Sequence, residues 1–350
     1  MSHNLYEKTA TPASGLRLHL NENTGGPSPT VLQALRGLTP EAVAYYPDYS
    51  EAIAAVAERL GVPEDYVLLT NGLDEGILAA SLASTRVATR LGAGQAIIVV
   101  PAFDMQAACA AAAGAQVVEV PLLENFEFPT AGILRAVSAA TRIIFITSPN
   151  NPTGIVVPHA AILSIAAAAP EAILFLDEAY ADFSSSTLLG DPAVANLSNI
   201  VIGRTFAKAY GLAALRIGAL IGSPGLLAQI SRVLPPYSVN VAASLALPAA
   251  LRDRDHYEGY VRAVKQSREL FYTAFDRLGI PCWRSEANFV LAKFGADASR
   301  VCRALADVGV HVRDRSTTPG CEGCVRITAG ILAHTERCIA ALEEVLCGAR

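Results

Sequence analysis

The sequence predicts an α/β protein in which a large domain is built on a mostly parallel mixed sheet, covered by helices on both faces, with a smaller α+β domain. Three observations lead to this class. Between residues 66 and 180, short apolar runs alternate with helical segments, which is typical of a buried parallel sheet with crossover helices. Beyond residue 222, longer helical segments replace this alternation. The length of 350 residues also exceeds one ordinary domain.

The first elements precede the alternating region. The chain before residue 29 is loop-like, and it ends in polar, turn-forming residues from Asn21 onward, which stop a strand and start a helix. Helical periodicity covers residues 29–38 and 50–60. An irregular, tyrosine-rich patch at 45–49 separates the two predicted helices.

The alternating region supplies the sheet. Its predicted elements are strand 66–70, helix 74–84, strand 96–100, helix 105–113, strand 116–120, helix 131–139, strand 142–147, helix 159–169 and strand 172–176. Two further apolar runs, 199–203 and 217–222, are also predicted to be buried strands.

The C-terminal part has a different pattern. Its predicted elements are helices 224–233, 239–251 and 257–278, strand 289–294, helix 297–308, strands 310–312 and 324–328, and helix 334–346. A long helix followed by a few strands and helices is typical of a small α+β unit. We therefore assign residues 30–240 to the large domain, and residues 1–29 together with 241–350 to the small domain.

Composition argues against several classes of protein. The chain has a net charge of −5 and no run of basic residues, so a nucleic-acid partner is not expected. Residues 1–10 lack an apolar signal core, and the most apolar segment, 160–176, is interrupted by Pro170 and Glu171. We therefore expect neither export nor a membrane span, and a cytoplasmic location.

The cysteines point to the same compartment. There are seven, an odd number, and most lie within apolar stretches, which favours free thiols in a reducing cytoplasm. Cys321 and Cys324 form a single CxxC pair. A structural zinc site would need two more ligands at metal spacing, so we expect no metal and interpret the pair as incidental.

Lys208 is the first residue that suggests chemistry. It lies between the apolar runs 199–203 and 217–222, and the whole chain has only four lysines. Lysine is rarely buried without a partner, and a desolvated ammonium loses its proton more easily, which makes the amine a nucleophile for carbonyl carbons. A solvated lysine on a turn is the plain alternative for one such residue taken alone.

Polar and aromatic residues follow the predicted strands. In a mostly parallel sheet, ligands bind beyond the carboxyl ends of the strands. The segments at those ends are 71–76, which opens a helix whose free backbone N–H groups would hold a phosphate, 101–103, 148–154 and 177–180. Each segment alone is typical of a turn or a helix start. Together with Lys208 they predict a cofactor site.

Three motifs resemble those of the class I/II aminotransferases, a family of fold-type I pyridoxal-phosphate (PLP) enzymes. They are SPNNPTG at 148–154, DEAY at 177–180 and RTFAK at 204–208, followed by Arg216. The likeness covers nearly the whole chain and is strongest to the histidinol-phosphate aminotransferase group. It implies the fold of fold-type I PLP-transferases. The motifs are specific jointly, because chance assembly of all three in this order is implausible.

The resemblance implies a role for each residue around the cofactor. Lys208 would hold PLP as a Schiff base and would shuttle protons once an incoming amino group displaces it. Asp177 would lie against the pyridine nitrogen, where a carboxylate raises the pKa of the ring. Tyr180 and Asn151 would donate hydrogen bonds to the phenolic oxygen of the ring, and Phe103 would stack on its face.

For the cofactor phosphate, the resemblance points to the segment that opens the helix at 74–84 and to two side chains. A planar guanidinium gives a phosphate two charge-assisted bonds, which suits arginine better than lysine. The implied phosphate ligands are the backbone at Gly72, Leu73 and Asp74, the hydroxyl of Thr205, and Arg216.

Three further residues bear on assembly and on departures from the family. Tyr46 resembles the tyrosine that reaches the phosphate in a neighbouring subunit, which implies a homodimer with shared active sites. The family often has tyrosine at the position of Phe103 and serine at that of Ala207. One hydroxyl is absent at each place, so we expect somewhat weaker anchoring of cofactor or substrate, with activity retained.

Arg326 resembles the arginine that binds the substrate anion, with Arg313 as its helper and Asn23 as a further substrate contact. The implied reaction transfers an amino group from glutamate, giving 2-oxoglutarate, to a carbonyl partner in a ping-pong scheme. The sequence around Arg313 favours imidazole acetol phosphate and histidinol phosphate, in histidine biosynthesis, as that second pair. Its phosphate would take the place of a carboxylate at Arg326.

Three alternatives stay open at this point. An aminotransferase selective for aromatic amino acids and a PLP lyase such as a threonine-phosphate decarboxylase share nearly all of these motifs. The sequence does not show whether a C–H or a C–COO⁻ bond is aligned perpendicular to the ring. A non-enzymatic binding module, such as the sensing half of a regulator, would need a DNA-binding region for which neither length nor charge leaves room.

Overall fold

A computed structural model of the protein describes residues 12–85 and 93–347. Residues 1–11 lie outside the described residues; the domain prediction assigns them to the small domain, and the expectation of no export rests on them. The strands, in chain order, are β1 Leu16–Arg17, β2 Val67–Thr70, β3 Gln95–Val100, β4 Gln116–Pro121, β5 Thr141–Thr147, β6 Ile173–Asp177, β7 Ile200–Thr205, β8 Gly218–Gly222, β9 Cys282–Trp283, β10 Phe289–Lys293, β11 Val310–His311, β12 Arg313–Asp314 and β13 Cys324–Thr328.

The α-helices of the described residues alternate with these strands in the first two thirds of the chain. They are α1 Pro29–Arg36, α2 Pro40–Ala44, α3 Ser50–Leu60, α4 Leu73–Thr85, α5 Met105–Ala112, α6 Thr130–Ala136, α7 His159–Ala168, α8 Pro224–Ser231, α9 Val241–Arg252, α10 Arg254–Leu278, α11 Ala298–Asp307 and α12 Leu332–Cys347. Among the described residues, no helix is both long enough and apolar enough to span a membrane.

Seven strands form the central sheet, in the order β2-β8-β7-β6-β5-β3-β4. Neighbouring strands are parallel from β7 to β4, whereas β8 runs antiparallel to both β7 and β2. The connection 206–217 contains a 3₁₀ turn in place of a crossover helix, and β8 therefore returns in the opposite direction. The predicted mostly parallel mixed sheet is confirmed.

The central strands are buried on both faces. Every residue of β6 and β7 is buried, and so is all of β5 except one half-buried residue. Successive side chains of a strand point to opposite faces, so a fully buried strand needs cover on both sides. Helix α4 packs against β5 to β8, and α5 and α6 pack against β3 and β4. The prediction of helices on both faces is confirmed.

A second sheet, antiparallel, has the order β12-β13-β10-β9. Helix α10 packs against β10, and α11 packs against β12 and β13. Strand β1 pairs in parallel with β11, which brings the start of the described chain to this part of the molecule. These elements are the smaller α+β unit. The domain boundaries stay a prediction; helix α9, which they assign to the small domain, packs against α1 and α3.

A few elements differ from the sequence prediction. The two-residue strands β1, β9 and β12 and the five-residue helix α2 were not predicted, because they are shorter than the periodicities that identify strands and helices. Strand β7 also continues two residues beyond its predicted end, since Arg204 and Thr205 keep their pairing with β8.

The register of the central sheet gathers the strand ends on which a site can be built. Thr147, the last residue of β5, pairs with Asp177, the last residue of β6. Thr205 of β7 and Thr70 of β2 both lie opposite Gly218 at the start of β8. The carboxyl ends of these four strands therefore share one edge of the sheet.

Candidate active site

A cavity of about 280 Å³ lies at this edge. Its lining comes from the ends of β5, β6 and β7 in the central sheet and from β12 and β13 in the antiparallel sheet. It brings together most of the residues that the sequence predicted. Those that line it are Leu73, Asp74, Phe103, Asn151, Asp177, Tyr180, Thr205, Lys208, Arg216, Arg313 and Arg326.

Lys208 lies in the turn that follows β7. Its Nζ donates a 3.0 Å hydrogen bond to the backbone oxygen of Leu20. Burial, together with the positive charge of Arg326, lowers the pKa of the amine to about 8. A substantial fraction of Lys208 is therefore neutral near physiological pH, and the neutral amine is the form that attacks a carbonyl carbon.

Asp177 ends the fully buried strand β6. Its Oδ1 accepts a 3.0 Å hydrogen bond from the backbone N–H of Ala179. Burial raises the pKa of the carboxyl to about 7, although the charge of Lys208 and a hydrogen bond from Gln106 act in the opposite direction. A buried carboxylate of this kind suits a ligand that brings a proton or a positive charge.

Donors for an anion meet at the start of α4. Gly72, with φ of +76°, turns the chain from β2 into the helix. The guanidinium of Arg216 covers this turn, since a Cβ at position 72 would lie 2.6 Å from Arg216 Nη2. The same nitrogen donates to Oδ2 of Asp74 at 3.0 Å. Free N–H groups at a helix start, the helix dipole and an adjacent cation suit a phosphate.

Phe103 and Ala207, the two residues that depart from the pattern of the resembled family, both line the cavity. Next to Ala207, the hydroxyl oxygen of Thr205 accepts a hydrogen bond from the backbone N–H of Ala207 at 3.2 Å. Because an oxygen accepts this bond, the hydroxyl proton of Thr205 can be donated to a ligand.

Tyr180 and Asn151 are each oriented by a partner. The hydroxyl of Tyr180 accepts a 3.0 Å hydrogen bond from Nδ2 of Asn21, and burial raises its pKa. Oδ1 of Asn151 accepts a 2.6 Å hydrogen bond from Arg326. Each side chain thus has its acceptor oxygen engaged and retains a donor group for a ligand.

Three arginines, Arg313, Arg315 and Arg326, line the cavity near β12 and β13. Arg313 and Arg326 are predicted from the sequence as substrate residues, whereas Arg315 is not. The signal was present: Arg315 follows Arg313 by two residues, and residues at that spacing share a face of an extended segment. Burial lowers the pKa of Arg326 to about 10, and the charges of Arg315 and Arg313 contribute to the lowering.

Three predicted site residues lie outside the cavity lining. Gly72 lies beneath the guanidinium of Arg216, and its backbone N–H donates to the backbone oxygen of Thr70 at 2.8 Å, so its predicted role as a phosphate ligand stays a prediction. Tyr46 is 80% exposed and stacks on Tyr237, with ring centroids 4.4 Å apart. Asn23 uses both ends of its amide within the protein, donating to a backbone oxygen and accepting from a backbone N–H. Asn21 lines the cavity instead. The roles assigned to Tyr46 and Asn23 stay predictions.

A buried ion-pair network, not predicted from the sequence, supports the ends of β6 and β7. Arg204 donates from Nη1 to Oε2 of Glu178 and from Nη2 to Oδ1 of Asp182, both at 3.0 Å. Tyr257 of α10 donates to the same oxygen of Asp182 at 3.0 Å. Glu178 follows Asp177 directly, so the network fixes the chain beside that carboxylate. The sequence signal for this network was the presence of charged residues, Glu178 and Arg204, at the ends of strands predicted to be buried.

The CxxC pair has no metal-binding partners in the described part of the chain. No group of three or more His, Cys, Asp or Glu side chains among the described residues could hold a metal ion. Cys321 and Cys324 are free, buried thiols. Burial raises their pKa values to about 12 and about 11, so both are poor nucleophiles at neutral pH.

Comparisons with known proteins agree with the geometry. Residues 13–342 match the family model described as aminotransferase class I and II. The histidinol-phosphate aminotransferase of Moorella thermoacetica is 33% identical over 341 residues, which cover 95% of this chain and 85% of that protein. Its counterpart from a Geobacillus species is 34% identical over 338 residues, 95% of this chain and 90% of that protein.

A solved structure gives the same result for the fold. The histidinol-phosphate aminotransferase of Sinorhizobium meliloti, in complex with pyridoxal-5'-phosphate, is similar with a TM-score of 0.83 at 26% identity, over 96% of this chain and 92% of that one. The family predicted from the three sequence motifs is confirmed. Because the family model matches residues 13–342, nearly the whole chain, the chain belongs to the class I and II aminotransferases.

Proposed function

We propose that this protein is a PLP-dependent aminotransferase that exchanges an amino group between glutamate/2-oxoglutarate and histidinol phosphate/imidazole acetol phosphate, a step of histidine biosynthesis. The observation that carries the proposal is the cavity in which Lys208, Asp177 and Arg216 lie with a second group of arginines. The histidinol-phosphate aminotransferases among its relatives support the choice of substrate.

The residues present fit PLP. Arg216, the backbone at Leu73 and the hydroxyl of Thr205 offer donors for its phosphate. Asp177 has no ion pair among the described residues, and its raised pKa suits a pyridine nitrogen that brings a proton. Lys208 offers the amine for covalent attachment. When bound, PLP supplies an electron-withdrawing ring that stabilises negative charge at the amino-bearing carbon of the substrate.

Lys208 has two tasks in the proposed reaction. As a neutral amine it would hold the cofactor, and as a free amine its Nζ would remove a proton from the amino-bearing carbon of the substrate. The same Nζ would then return a proton to the carbon that receives or gives up the amino group. The pKa of about 8 keeps the amine able to accept and return a proton near neutral pH.

Tyr180 and Asn151 orient the reacting group. Burial raises the pKa of Tyr180, so its hydroxyl stays protonated and can donate to an oxygen of the cofactor. The amide of Asn151 has its oxygen bound to Arg326, so Nδ2 is the end that can donate. In the two half-reactions Arg326 takes the carboxylate of glutamate and then the phosphate of the second substrate, because both anions accept from a guanidinium.

A cytoplasmic homodimer with shared sites is part of the proposal. Near α2, Val43, Tyr45 and Tyr46 are 67%, 74% and 80% exposed, and clustered exposed aromatic side chains are typical of protein–protein interfaces. All seven cysteines are free, which favours a reducing compartment. Light scattering on the purified protein tests the assembly, and a monomer at micromolar concentration would contradict it.

Half-reaction spectra test the substrate. The holoenzyme is mixed separately with L-glutamate, L-histidinol phosphate and L-phenylalanine, and the absorbance of the aldehyde form of the cofactor is followed. We expect glutamate and histidinol phosphate to convert it to the amine form, and phenylalanine to do so far more slowly.

The other outcomes identify the alternatives. Conversion by phenylalanine but not by histidinol phosphate would indicate an aromatic aminotransferase. Release of carbon dioxide from threonine phosphate, with no 2-oxoglutarate formed from glutamate, would indicate a lyase. If no amino compound changes the spectrum, the remaining alternative is a non-enzymatic binding module.

A further inference from the structure

Arg315 is a buried cation to which the proposed reaction gives no task. Its side chain is 7% exposed and lines the cavity. Nη1 lies 3.8 Å from Oδ2 of Asp104, a half-exposed carboxylate, and Nε has no hydrogen-bond acceptor among the described residues. Leaving a buried donor without an acceptor costs free energy, more so for a charged group. A cation of this kind at a cavity wall indicates that a ligand supplies the acceptor.

A second guanidinium in the same wall has the same feature. Arg326 is buried and lines the cavity, and in the described part of the chain its Nε also lacks an acceptor. Besides burial, the charges that most affect the pKa of Arg326 are those of Tyr180, Arg315, Arg313 and Asp104. Arginines outnumber carboxylates among these groups, so the part of the wall around Arg326 has an excess of positive charge.

The charge of the ligand decides how well it balances this wall. A carboxylate brings one negative charge and two acceptor oxygens. A phosphate monoester brings about −1.5 to −2 near neutral pH and three acceptor oxygens. Two guanidinium groups with unused donors match the second ligand better than the first, because each can make charge-assisted bonds to a separate oxygen.

We propose that Arg315 is the residue that selects a phosphate monoester over a carboxylate in this cavity. Arg326 serves both anions in turn, whereas Arg315 adds the second guanidinium that only a dianion uses fully. The inference rests on the proposed function, since it assigns substrate anions to Arg326, and it adds the residue that separates the two substrate classes.

Two small competitors test the assignment without histidinol phosphate. n-Propyl phosphate and butyrate are compared as inhibitors of the glutamate half-reaction of the holoenzyme, in the wild type and in Arg315→Gln and Arg315→Lys. Arg300→Gln is the matched control, because Arg300 is an arginine of α11 that pairs with Asp297 at the surface. We expect Arg315→Gln to weaken inhibition by propyl phosphate about tenfold or more, and inhibition by butyrate less than about threefold. Arg315→Lys restores part of the loss, since it keeps the charge without the planar fork.

A pH series adds a readout that a purely structural role would not move. The second ionisation of a phosphate monoester lies near pH 6, whereas butyrate keeps the same charge from pH 5.5 to 7.5, a range above the usual carboxylate pKa of about 4. The ratio of the two inhibition constants therefore reports the preference for the dianion and cancels the titration of groups in the protein. In the wild type we expect this preference to grow as the pH rises through about 6, and in Arg315→Gln we expect the growth to be mostly lost.

Equal weakening of both inhibitors by Arg315→Gln, or weakening of neither, would overturn the assignment. The proposed function can fail separately. Histidinol phosphate could leave the spectrum of the wild-type holoenzyme unchanged while Arg315→Gln weakens inhibition by propyl phosphate more than inhibition by butyrate. In that case the proposed substrate is wrong and the role of Arg315 stands.

Discussion

Arg326 donates a 2.6 Å hydrogen bond from Nη1 to Oδ1 of Asn151. The two residues belong to different sheets: Arg326 lies in β13 of the antiparallel sheet, and Asn151 lies in the loop that follows β5 of the central sheet. The bond fixes which end of the amide of Asn151 faces a ligand. The residue proposed to bind the substrate anion thus orients a residue proposed to bind the cofactor.

This bond predicts that the two residues act together. Asn151→Ala, Arg326→Gln and the double variant are compared by kcat/KM in the glutamate half-reaction. Because the side chains are in contact, we expect a coupling energy of about 0.5–3 kcal/mol. Arg326→Gln combined with Arg300→Gln, which share no partner, is the control and should be additive. Additivity of the Asn151 pair as well would show that the bond carries no function.

Lys208→Ala is expected to lose at least about 10²–10⁴-fold in kcat, because it removes both the nucleophile and the group that moves the proton. Lys265→Ala is the matched control, since Lys265 is an exposed lysine of α10. Turnover of both purified variants is measured with glutamate and the phosphate substrate. Full turnover by Lys208→Ala would refute the proposed mechanism.

Asp177 predicts a pH dependence of stability in the protein free of cofactor. Its pKa is raised from 3.8 to about 7 by burial, so the folded state holds the proton more tightly than the unfolded state. The associated stability is present below pH 4 and is lost as the pH rises to about 7, by roughly 4 kcal/mol. The pKa of Lys208 is lowered from 10.5 to about 8. Its effect therefore has the opposite sign and lies in a separate range, where stability rises as the pH rises from about 8 to 10.5.

Urea unfolding of the cofactor-free protein between pH 4.5 and 7.5 measures this dependence. We expect Asp177→Asn to remove most of the decline, because an amide does not ionise. Asp65→Asn, at an exposed carboxylate, should leave the decline as it is in the wild type. Parallel curves for the wild type and Asp177→Asn would contradict the raised pKa.

Local patterns predicted the central sheet and the core of the candidate site. Most strands of the central sheet are largely apolar runs, and Lys208, Asp177 and Asn151 lie within short continuous motifs at or just after the ends of such runs. A parallel sheet brings its strand ends to one edge, so order along the chain was enough to group these residues.

The parts that were missed depend on contacts between distant segments. Glu178 and Arg204 pair across neighbouring strand ends, and Arg315 reaches the cavity only because β12 pairs with β13. The charged residues at the strand ends and the two-residue spacing of Arg315 from Arg313 are local signals, but neither shows which distant segment each side chain meets. Likewise, two asparagines stand two residues apart in the segment before α1, and it is Asn21, at φ of +55°, that lines the cavity; composition alone does not distinguish it from Asn23.

Gly72 allows a prediction that separates backbone strain from cofactor binding. Gly72 and Gly61 both have positive φ, +76° and +68°, so alanine at either position costs about 1–2 kcal/mol of stability. A Cβ at position 72 would lie 2.6 Å from Arg216 Nη2, whereas a Cβ at position 61 would meet nothing within 4 Å. Gly72→Ala must therefore displace the guanidinium proposed to bind the cofactor phosphate, and Gly61→Ala does not.

We expect both variants to unfold at lower urea concentration, and only Gly72→Ala to bind PLP about tenfold or more weakly, since charged hydrogen bonds contribute about 1.5–3 kcal/mol each. Fluorescence titration of the cofactor-free proteins measures the affinity. Arg216→Lys, which keeps the charge without the fork, should weaken PLP binding in the same direction, and combining it with Gly72→Ala should add little, because both act on the same group. Equal PLP affinity in Gly72→Ala and Gly61→Ala would show that the phosphate does not bind at the start of α4.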